Sequence, residues 1–151
     1  MPLLVPYRVG RARTGLGLFA VMPIRRGTWL LEYTGEMISD AEAQQRENRG
    51  ARYLFEINTR WTIDGYPRAN VARYANHSCK PNMEVEIVKG RIMMRTIRSI
   101  EPGDELTYNY GRSYLDNYIP VCKCGHCIRT TRGKGRPTGR KRAKRKRNGH
   151  G

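Results

Sequence analysis

The sequence has 151 residues, the length of a single domain, and it carries 29 Lys and Arg against 13 Asp and Glu, a net charge of +16. Eleven of the basic residues and no acidic one lie in residues 129–151, which favours an acidic partner such as nucleic acid for that segment. We expect no membrane span, because the sequence has no long apolar run, and no signal peptide, because the first six residues contain two prolines. Four cysteines are also too few for a disulfide scaffold at this length.

The first part of the chain predicts two strands followed by a capped helix. Residues 15–21 (Gly-Leu-Gly-Leu-Phe-Ala-Val) predict a turn that leads into a strand, and the aliphatic and aromatic residues of 28–33 predict a second strand. Ser39 precedes residues 40–46, which favour a helix, and its hydroxyl suits the N-cap position. We expect this helix to end near Gly50, since glycine commonly follows the last helical turn.

The middle of the chain predicts further short strands and a hairpin. Residues 53–57 and 61–64 predict two strands, and residues 69–74 predict a single helical turn. Residues 83–88 alternate in polarity, a Lys-Gly pair follows as the turn, and residues 91–97 form the second half of the hairpin.

The last predicted strand lies at residues 105–110, after a Glu-Pro-Gly-Asp turn at residues 101–104. From residue 129 onward the sequence has no hydrophobic periodicity, so we expect a disordered tail there. The whole pattern predicts a mostly β fold with many short strands and one or two short helices.

Three cysteines, Cys122, Cys124 and Cys127, fall within six residues. A Cys-x-Cys pair allows two thiolates to converge on one ion, and the third cysteine is close enough to join them. Zinc prefers four ligands in a tetrahedron, and the spacing supports His126 and Cys79 equally as the fourth. Reduced thiols without a metal are the alternative interpretation.

The chain resembles the SET-domain protein lysine methyltransferases in five motifs that occur in the family's order. Residues 70–82 contain Arg-Tyr-Ala-Asn-His-Ser-Cys-Lys-Pro-Asn, which is similar to the family's central Arg-aromatic-x-Asn-His-Ser-Cys-x-Pro-Asn segment. Residues 105–111 (Glu-Leu-Thr-Tyr-Asn-Tyr-Gly) resemble its closing motif. The other three are Gly-x-Gly at residues 15–17, Glu-Tyr-Thr-Gly-Glu at residues 32–36 and the cysteine cluster at residues 122–127, which resembles a post-SET zinc element.

The resemblance implies a SET-domain fold of small β-sheets around a pseudoknotted C-terminal segment. It divides the chain into a SET domain at residues 1–112, a post-SET-like zinc element at 113–128 and the basic disordered tail at 129–151. It also implies S-adenosylmethionine as the methyl donor and a lysine side chain as the acceptor. Two features depart from the family pattern: Asn109 stands where Asp is usual, and the cysteine spacing is Cys-x-Cys-x2-Cys instead of Cys-x-Cys-x4-Cys.

By this resemblance Tyr110 is the catalytic tyrosine, with its hydroxyl beside the transferring methyl group. The attacking lysine, whose usual pKa is about 10.4, must first lose its proton, and a dry aromatic channel disfavours the charged form. Tyr108 occupies the family's Phe/Tyr switch position, which implies monomethylation as the favoured outcome. Tyr33 and Tyr53 are candidates for the walls of the lysine channel or of the adjoining donor pocket, and ordinary sheet packing is an equal alternative for both.

The resemblance also implies a donor-binding set. Gly15, Leu16 and Gly17 would let the backbone approach the amino-acid part of the donor, where a Cβ would obstruct it. Asn76 would meet the methionine portion, and the backbone of His77 would meet the adenine. The alternatives are a simple turn into a strand for the glycines and a structural hydrogen-bonding role for His77.

The zinc ligands implied by the resemblance are Cys79, Cys122, Cys124 and Cys127. Because Cys79 ends the donor-binding motif, a shared zinc ion would tie the C-terminal part of the chain over the active site. Metal binding would then be coupled to activity.

The expected protein partner is a histone or another basic DNA-associated protein. The tail at residues 129–151 would contact DNA, direct nuclear import or itself be methylated. We expect an intracellular protein, at chromatin in a eukaryotic or viral setting and in the cytoplasm or nucleoid of a bacterium. A catalytically inactive SET-like zinc-binding adaptor that binds nucleic acid through its tail is the alternative, and the presence of Tyr110, Asn76 and His77 argues against it.

Overall fold

The computed structural model of the protein describes residues 5–111, Cys124 and the backbone of residues 146–147. Within these residues the chain is mostly β, as the sequence predicts, with one α-helix (α1, Asp40–Asn48) and one 3-10 helix (Val71–Tyr74). No helix in this part of the chain is long and apolar enough to cross a membrane. The strands are β1 Tyr7–Ala12, β2 Gly15–Ala20, β3 Trp29–Tyr33, β4 Glu36–Ser39, β5 Leu54–Glu56, β6 Trp61–Asp64, β7 Asn76–His77, β8 Met83–Val88, β9 Arg91–Thr96, β10 Thr107–Tyr108 and β11 Lys146–Arg147.

Two antiparallel hairpins, β1–β2 and β8–β9, are separated in the sequence by strands β3 to β7 and by the two helices. The turn of the second consists of Lys89 and Gly90, which both have positive φ angles, 52° and 78°. This is the backbone geometry that suits the right-handed twist of a two-residue hairpin, so the predicted hairpin is confirmed. β9 also pairs with β3, which gives a three-stranded sheet in the order β3-β9-β8.

A second sheet has the order β11-β5-β6-β4. β11 runs parallel to β5, with Lys146 opposite Phe55 and Arg147 opposite Glu56. The sequence predicts no regular structure from residue 129 onward, so this two-residue strand departs from the prediction. Without β11, one edge of β5 would expose its backbone N–H and C=O groups. Such an edge can pair with the backbone of any extended segment, whatever the side chains of that segment are. The rest of the predicted tail lies outside the described residues.

Helix α1 begins where the sequence predicts. The Ser39 hydroxyl accepts a hydrogen bond from the Glu42 N–H at 3.1 Å, which is the N-cap bond. In the last turn, Arg46 forms an ion pair with Asp64 of β6 at 2.7 Å and another with Glu42 at 2.8 Å. The pair with Asp64 fastens the helix to the second sheet, and the pair with Glu42 lies within the helix.

The C-terminal segment, residues 104–111, is held by two different strands in turn. The Leu106 N–H donates to a carbonyl of β2 at 2.7 Å, and β10 then pairs in parallel with β7. The Asn82 side chain bonds the segment twice, donating to the Glu105 carbonyl at 2.8 Å and accepting from the Thr107 N–H at 2.9 Å. Because the segment changes partner midway, the longer strand predicted here is reduced to the two residues of β10.

One hydrophobic core connects the hairpins, the second sheet and the C-terminal segment. Its largest fully buried side chains include Tyr33, Phe55, Tyr108, Leu18 and Met94. Burial of a side chain of this size contributes about 1.5–3 kcal/mol. Two of the predicted site tyrosines therefore belong to the core, which fixes the positions of their rings.

Candidate active site

Five aromatic rings form a connected series that runs out of the core, and we call it the aromatic row. It consists of Tyr33, Phe55, Tyr108, Tyr110 and His77. In this order, the distances between the centroids of neighbouring rings are 5.1 Å, 6.5 Å, 4.9 Å and 5.4 Å. The three inner rings are at most 1% exposed, whereas the two outer ones are half-buried. The row thus joins a dry interior to a partly open surface.

Tyr110 is held at both its backbone and its hydroxyl. The hydroxyl donates to the Ala75 carbonyl at 2.7 Å, and the backbone N–H donates to His77 Nδ1 at 3.1 Å. The Ala75 carbonyl thus accepts the hydroxyl hydrogen, and a tyrosine oxygen can also accept hydrogen bonds through its lone pairs. The side-chain oxygen of the preceding residue, Asn109, accepts a hydrogen bond from the Gly111 N–H at 2.8 Å. An Asp carboxylate at this position would make the same bond. The presence of Asn109, where Asp is usual, therefore preserves this turn.

Tyr33 and Tyr53 occupy different surroundings. The Tyr33 hydroxyl donates to the Tyr53 carbonyl at 2.9 Å, which ties the inner end of the aromatic row to the residue before β5. The Tyr53 ring lies outside the row, with the Arg73 guanidinium 4.2 Å from its centroid. Arg73 also lies over the rings of Tyr66 and Tyr74, at 5.4 Å and 5.3 Å. The structure does not bring the Tyr53 ring into the row with Tyr108 and Tyr110.

The predicted donor-binding residues converge on the Asn76 side chain. Its amide nitrogen donates to the Leu16 carbonyl at 2.9 Å and to Glu105 Oε2 at 2.8 Å. A Cβ at Gly17 would lie 2.6 Å from that same carboxylate oxygen, 2.8 Å from the Ala12 Cβ and 3.1 Å from the Asn76 nitrogen, so a larger residue would displace these groups. Because both amide hydrogens are used, the Asn76 side-chain oxygen is the group that can accept from a ligand.

β7 connects the two halves of the site. Asn76 contacts the Gly-x-Gly strand, and the adjacent residue His77 contacts Tyr110. The pairing of β7 with β10 places Thr107 opposite Asn76 and Tyr108 opposite His77. Two consecutive residues thereby contact the Gly-x-Gly strand on one side and the backbone of Tyr110 on the other.

His77 is a neutral imidazole in this environment. Burial lowers the pKa of its ring from the usual value of 6.5 to about 4. Because Nδ1 accepts from the Tyr110 N–H, the ring proton of the neutral form resides on Nε2. Nε2 lies 3.2 Å from Cys79 Sγ and is therefore placed to donate to that sulfur.

A group of metal-binding atoms lies beside the aromatic row. The group consists of one possible ligand atom from each of His77, Cys79 and Cys124, and these atoms lie within 4.8 Å of one another. The Cys79 N–H also donates a hydrogen bond to Cys124 Sγ at 3.5 Å. Two sulfurs at this spacing, one of them receiving a backbone N–H bond, suit thiolates that share a zinc ion. The other predicted ligands, Cys122 and Cys127, and the alternative ligand His126, lie outside the described residues.

The sequence identified most of this site but missed two members. Phe55 belongs to a predicted strand, but its place between two tyrosines depends on how β5 packs against the C-terminal segment. Glu105 stands first in the closing motif, and that position was the available signal for its bond to Asn76. Gly15 begins β2 with a φ of 126°, a conformation that favours glycine. Apart from its chain neighbours, no atom of the described residues lies within 4 Å of the position its Cβ would take.

Comparison with protein families gives a match between residues 15–111 and the SET domain. Human histone-lysine N-methyltransferase 2D is 38% identical over 122 residues, which cover 74% of this chain and 2% of that protein. The H3 lysine-4 specific histone-lysine N-methyltransferase of Emericella nidulans is 38% identical over 134 residues, covering 80% and 11% respectively. The chain therefore spans only a small part of the length of these relatives.

Comparison with solved structures leads to polycomb repressive complex 2 of Chaetomium thermophilum. In its autoinhibited conformation bound to S-adenosylmethionine, the matching chain superposes with a TM-score of 0.62 at 31% sequence identity. The match covers 72% of the present chain and 15% of the other. At this identity and TM-score, the matched part of the chain shares its fold with that protein.

Proposed function

The chain belongs to the SET domain family, and we propose that it is a protein-lysine methyltransferase that uses S-adenosylmethionine. The relatives named above are histone-lysine methyltransferases, so we propose a histone, or another basic DNA-associated protein, as the substrate. The observation that carries the proposal is the arrangement of β7, where Asn76 contacts the Gly-x-Gly strand and His77 contacts Tyr110.

The acceptor lysine is proposed to reach Tyr110 along the aromatic row. An amine can attack a methyl carbon only through a lone pair, and buried rings disfavour its protonated form. Tyrosine faces also tolerate the methylated cation that results. In this proposal Tyr110 is the catalytic tyrosine, its oxygen facing the reacting groups because its hydrogen is held by Ala75. Tyr33 closes the inner end of the row.

The donor is proposed to bind at Leu16, Asn76 and the residues around them. S-adenosylmethionine, when bound, supplies the methyl group on a positively charged sulfur. The Asn76 side-chain oxygen would accept from the ammonium of its methionine portion, with Gly15 and Gly17 keeping the strand backbone accessible. The donor-binding roles predicted for the His77 backbone and for Tyr53 stay part of this proposal.

Tyr108 is proposed to limit the reaction to monomethylation. Its ring is buried between Phe55 and Tyr110, with centroid distances of 6.5 Å and 4.9 Å. A hydroxyl on a ring packed against the catalytic tyrosine would hold water or the amine itself, and it would take up volume that additional methyl groups need. A phenylalanine at this position would free that volume.

Zinc is proposed to bind Cys79, Cys122, Cys124 and Cys127. His77 is placed to donate to the Cys79 sulfur rather than to bind the metal, because its Nδ1 already accepts from Tyr110. Such a bond orients a metal-bound thiolate. The ion would supply a link between the end of β7 and the chain beyond residue 111, and so help to close the lysine channel.

The basic tail at residues 129–151 is proposed to bring the enzyme to DNA. Seven of the eight residues at 140–147 are Lys or Arg, which suits contacts with several phosphates and binding that weakens as salt rises. Together with the histone substrate, this favours a location at chromatin.

The experiment that tests this function is methyl transfer by the purified full chain. The protein is supplied with zinc, labelled S-adenosylmethionine and mixed histones, and the label is located by mass spectrometry. The expected result is methyllysine on a histone. A chain that binds no S-adenosylmethionine in calorimetry and labels no protein would refute the enzyme and leave a SET-like adaptor on nucleic acid as the better account.

A further inference from the structure

The Glu105 side chain contacts the donor-side residues, while other groups hold the backbone of its segment. Glu105 Oε2 accepts a hydrogen bond from the Asn76 side-chain nitrogen at 2.8 Å. The backbone has separate supports. Glu105 forms a β-bridge with Phe19, its carbonyl accepts from the Asn82 side chain at 2.8 Å, and the Leu106 N–H donates to a carbonyl of β2 at 2.7 Å. The segment is therefore held in place without the help of the Glu105 carboxylate.

The Glu105 carboxylate is half-buried, and none of the ion pairs in the described part of the chain includes it. A charged group taken partly out of water is costly unless a hydrogen bond compensates for the lost hydration. The bond from Asn76 supplies this compensation. The carboxylate is thus matched to one amide group and not to a neighbouring cation.

β2 leaves room for this contact at Gly17. A Cβ at that position would lie 2.6 Å from Glu105 Oε2 and 3.1 Å from Asn76 Nδ2, so it would push against both partners of the bond. Three segments that are far apart in the sequence meet here: β2, β7 and the C-terminal segment at residues 104–111. The space beside Gly17 is therefore occupied by a hydrogen bond next to the proposed donor site.

The bond determines which end of the Asn76 amide is left for a ligand. The amide nitrogen faces two acceptors, the Leu16 carbonyl at 2.9 Å and Glu105 Oε2 at 2.8 Å. The opposite orientation would place the amide oxygen against both acceptors and lose both hydrogen bonds. Because a charged acceptor forms the stronger hydrogen bond, Glu105 contributes more to this orientation than Leu16 does.

We propose that Glu105 is a positioning residue for the methyl donor and that it acts through Asn76 without touching the donor. Its carboxylate holds the amide nitrogen, so that the amide oxygen is presented to the ammonium group in the amino-acid portion of the donor. This inference rests on the proposed function for the identity of the donor. It gives the first residue of the closing motif a role in donor affinity that is separate from the role of Tyr110 in methyl transfer.

The first test measures the contact in the full chain without a ligand. Exchange of the Asn76 side-chain amide hydrogens with solvent, followed by NMR, should quicken at least about fivefold in Glu105→Ala. Glu105→Gln keeps an acceptor oxygen, so its rate should stay within about twofold of the unaltered chain. The Asn82 side-chain amide, which bonds the backbone of Glu105, should exchange equally in all three chains. Equal exchange at Asn76 in all three chains, or faster exchange at Asn82 as well, would overturn the inference.

The second test measures the affinity for S-adenosylhomocysteine, the donor without its methyl group, by calorimetry. Glu105→Ala should weaken binding at least about tenfold, and Glu105→Gln by no more than about threefold. In a chain that already carries Asn76→Ala, Glu105→Ala should change the affinity less than about twofold, because its effect passes through Asn76. A tenfold loss in that background would overturn the positioning role. Glu101→Ala removes an exposed carboxylate from the preceding turn, and it should leave the affinity unchanged.

The two tests separate this inference from the proposed function. An unaltered chain that binds no S-adenosylhomocysteine would refute donor binding, and with it the proposed function, whatever the exchange at Asn76. A chain that binds this ligand equally well with and without the Glu105 carboxylate would refute the positioning role alone.

Discussion

The Asn82 side chain is expected to be a principal support of the segment that carries Tyr108 and Tyr110. It bonds the Glu105 carbonyl and the Thr107 N–H, at 2.8 Å and 2.9 Å. Asn82→Ala leaves both backbone groups without this partner. Because the groups are half-buried, each costs about 1–2 kcal/mol, and the loss is about 2–4 kcal/mol. That is a large share of the total stability of a domain, which is about 5–15 kcal/mol.

Chemical denaturation of the full chain in urea measures this effect. With a urea dependence of about 2 kcal/mol per molar, the midpoint should fall by about 1–2 M in Asn82→Ala. The matched control is Asn58→Ala, because Asn58 Oδ1 also accepts two backbone N–H bonds, from Arg60 at 2.8 Å and Trp61 at 2.9 Å. That turn is exposed, so water can replace the lost acceptor and the change should stay below about 1 kcal/mol. Equal destabilisation by the two variants would refute the reasoning.

Three further predictions concern the site. Tyr108→Phe should shift the product from monomethyl-lysine to dimethyl- and trimethyl-lysine, as read by mass spectrometry, and an unchanged product ratio would contradict the role of its hydroxyl. Gly17→Ala should weaken S-adenosylmethionine binding at least about tenfold in calorimetry, since its Cβ would meet the Ala12 Cβ and displace the Glu105 carboxylate that holds Asn76. Cys79→Ser should lower both the zinc content of the purified chain and the melting temperature, and a full complement of zinc in this variant would remove Cys79 from the ligand set.

The control for the glycine prediction is Gly10→Ala. Gly10 lies opposite Gly17 in the β1–β2 hairpin, and the nearest atoms to its Cβ position belong to the flexible end of the Arg8 side chain. The Arg8 guanidinium can move aside, so donor binding should stay unchanged in this variant. A matching loss of affinity at both positions would mean that Gly17→Ala acts through the hairpin and not through the donor site.

Elements with a strong local pattern were predictable from the sequence. The capped helix after Ser39, the strand at Trp61–Asp64 and the β8–β9 hairpin follow from a capping hydroxyl, from β-forming residues and from a Lys-Gly turn. β1 and β7 lack such a pattern. β7 has two residues, and it is a strand only because β10, thirty-one positions further along the chain, lies beside it.

The candidate site was predictable as a set of residues but not as an arrangement. The motifs identified Asn76, His77 and Tyr110, and the bonds of the described residues bring these three together. Spacing could not show that Phe55 lies within the aromatic row or that Tyr53 lies outside it, because both positions depend on contacts between distant strands. For the same reason the pairing of β11 with β5 had no signal in a segment without hydrophobic periodicity.

Substitution of Tyr110 tests the central claim, that β7 places a donor-binding group next to a catalytic tyrosine. Tyr110→Phe removes the hydroxyl oxygen and keeps the ring, so S-adenosylmethionine affinity should stay within about twofold while single-turnover methyl transfer falls at least about 100-fold. Tyr7→Phe, at a half-buried tyrosine on β1, should change neither quantity. Transfer by Tyr110→Phe at the rate of the unaltered chain would contradict the account.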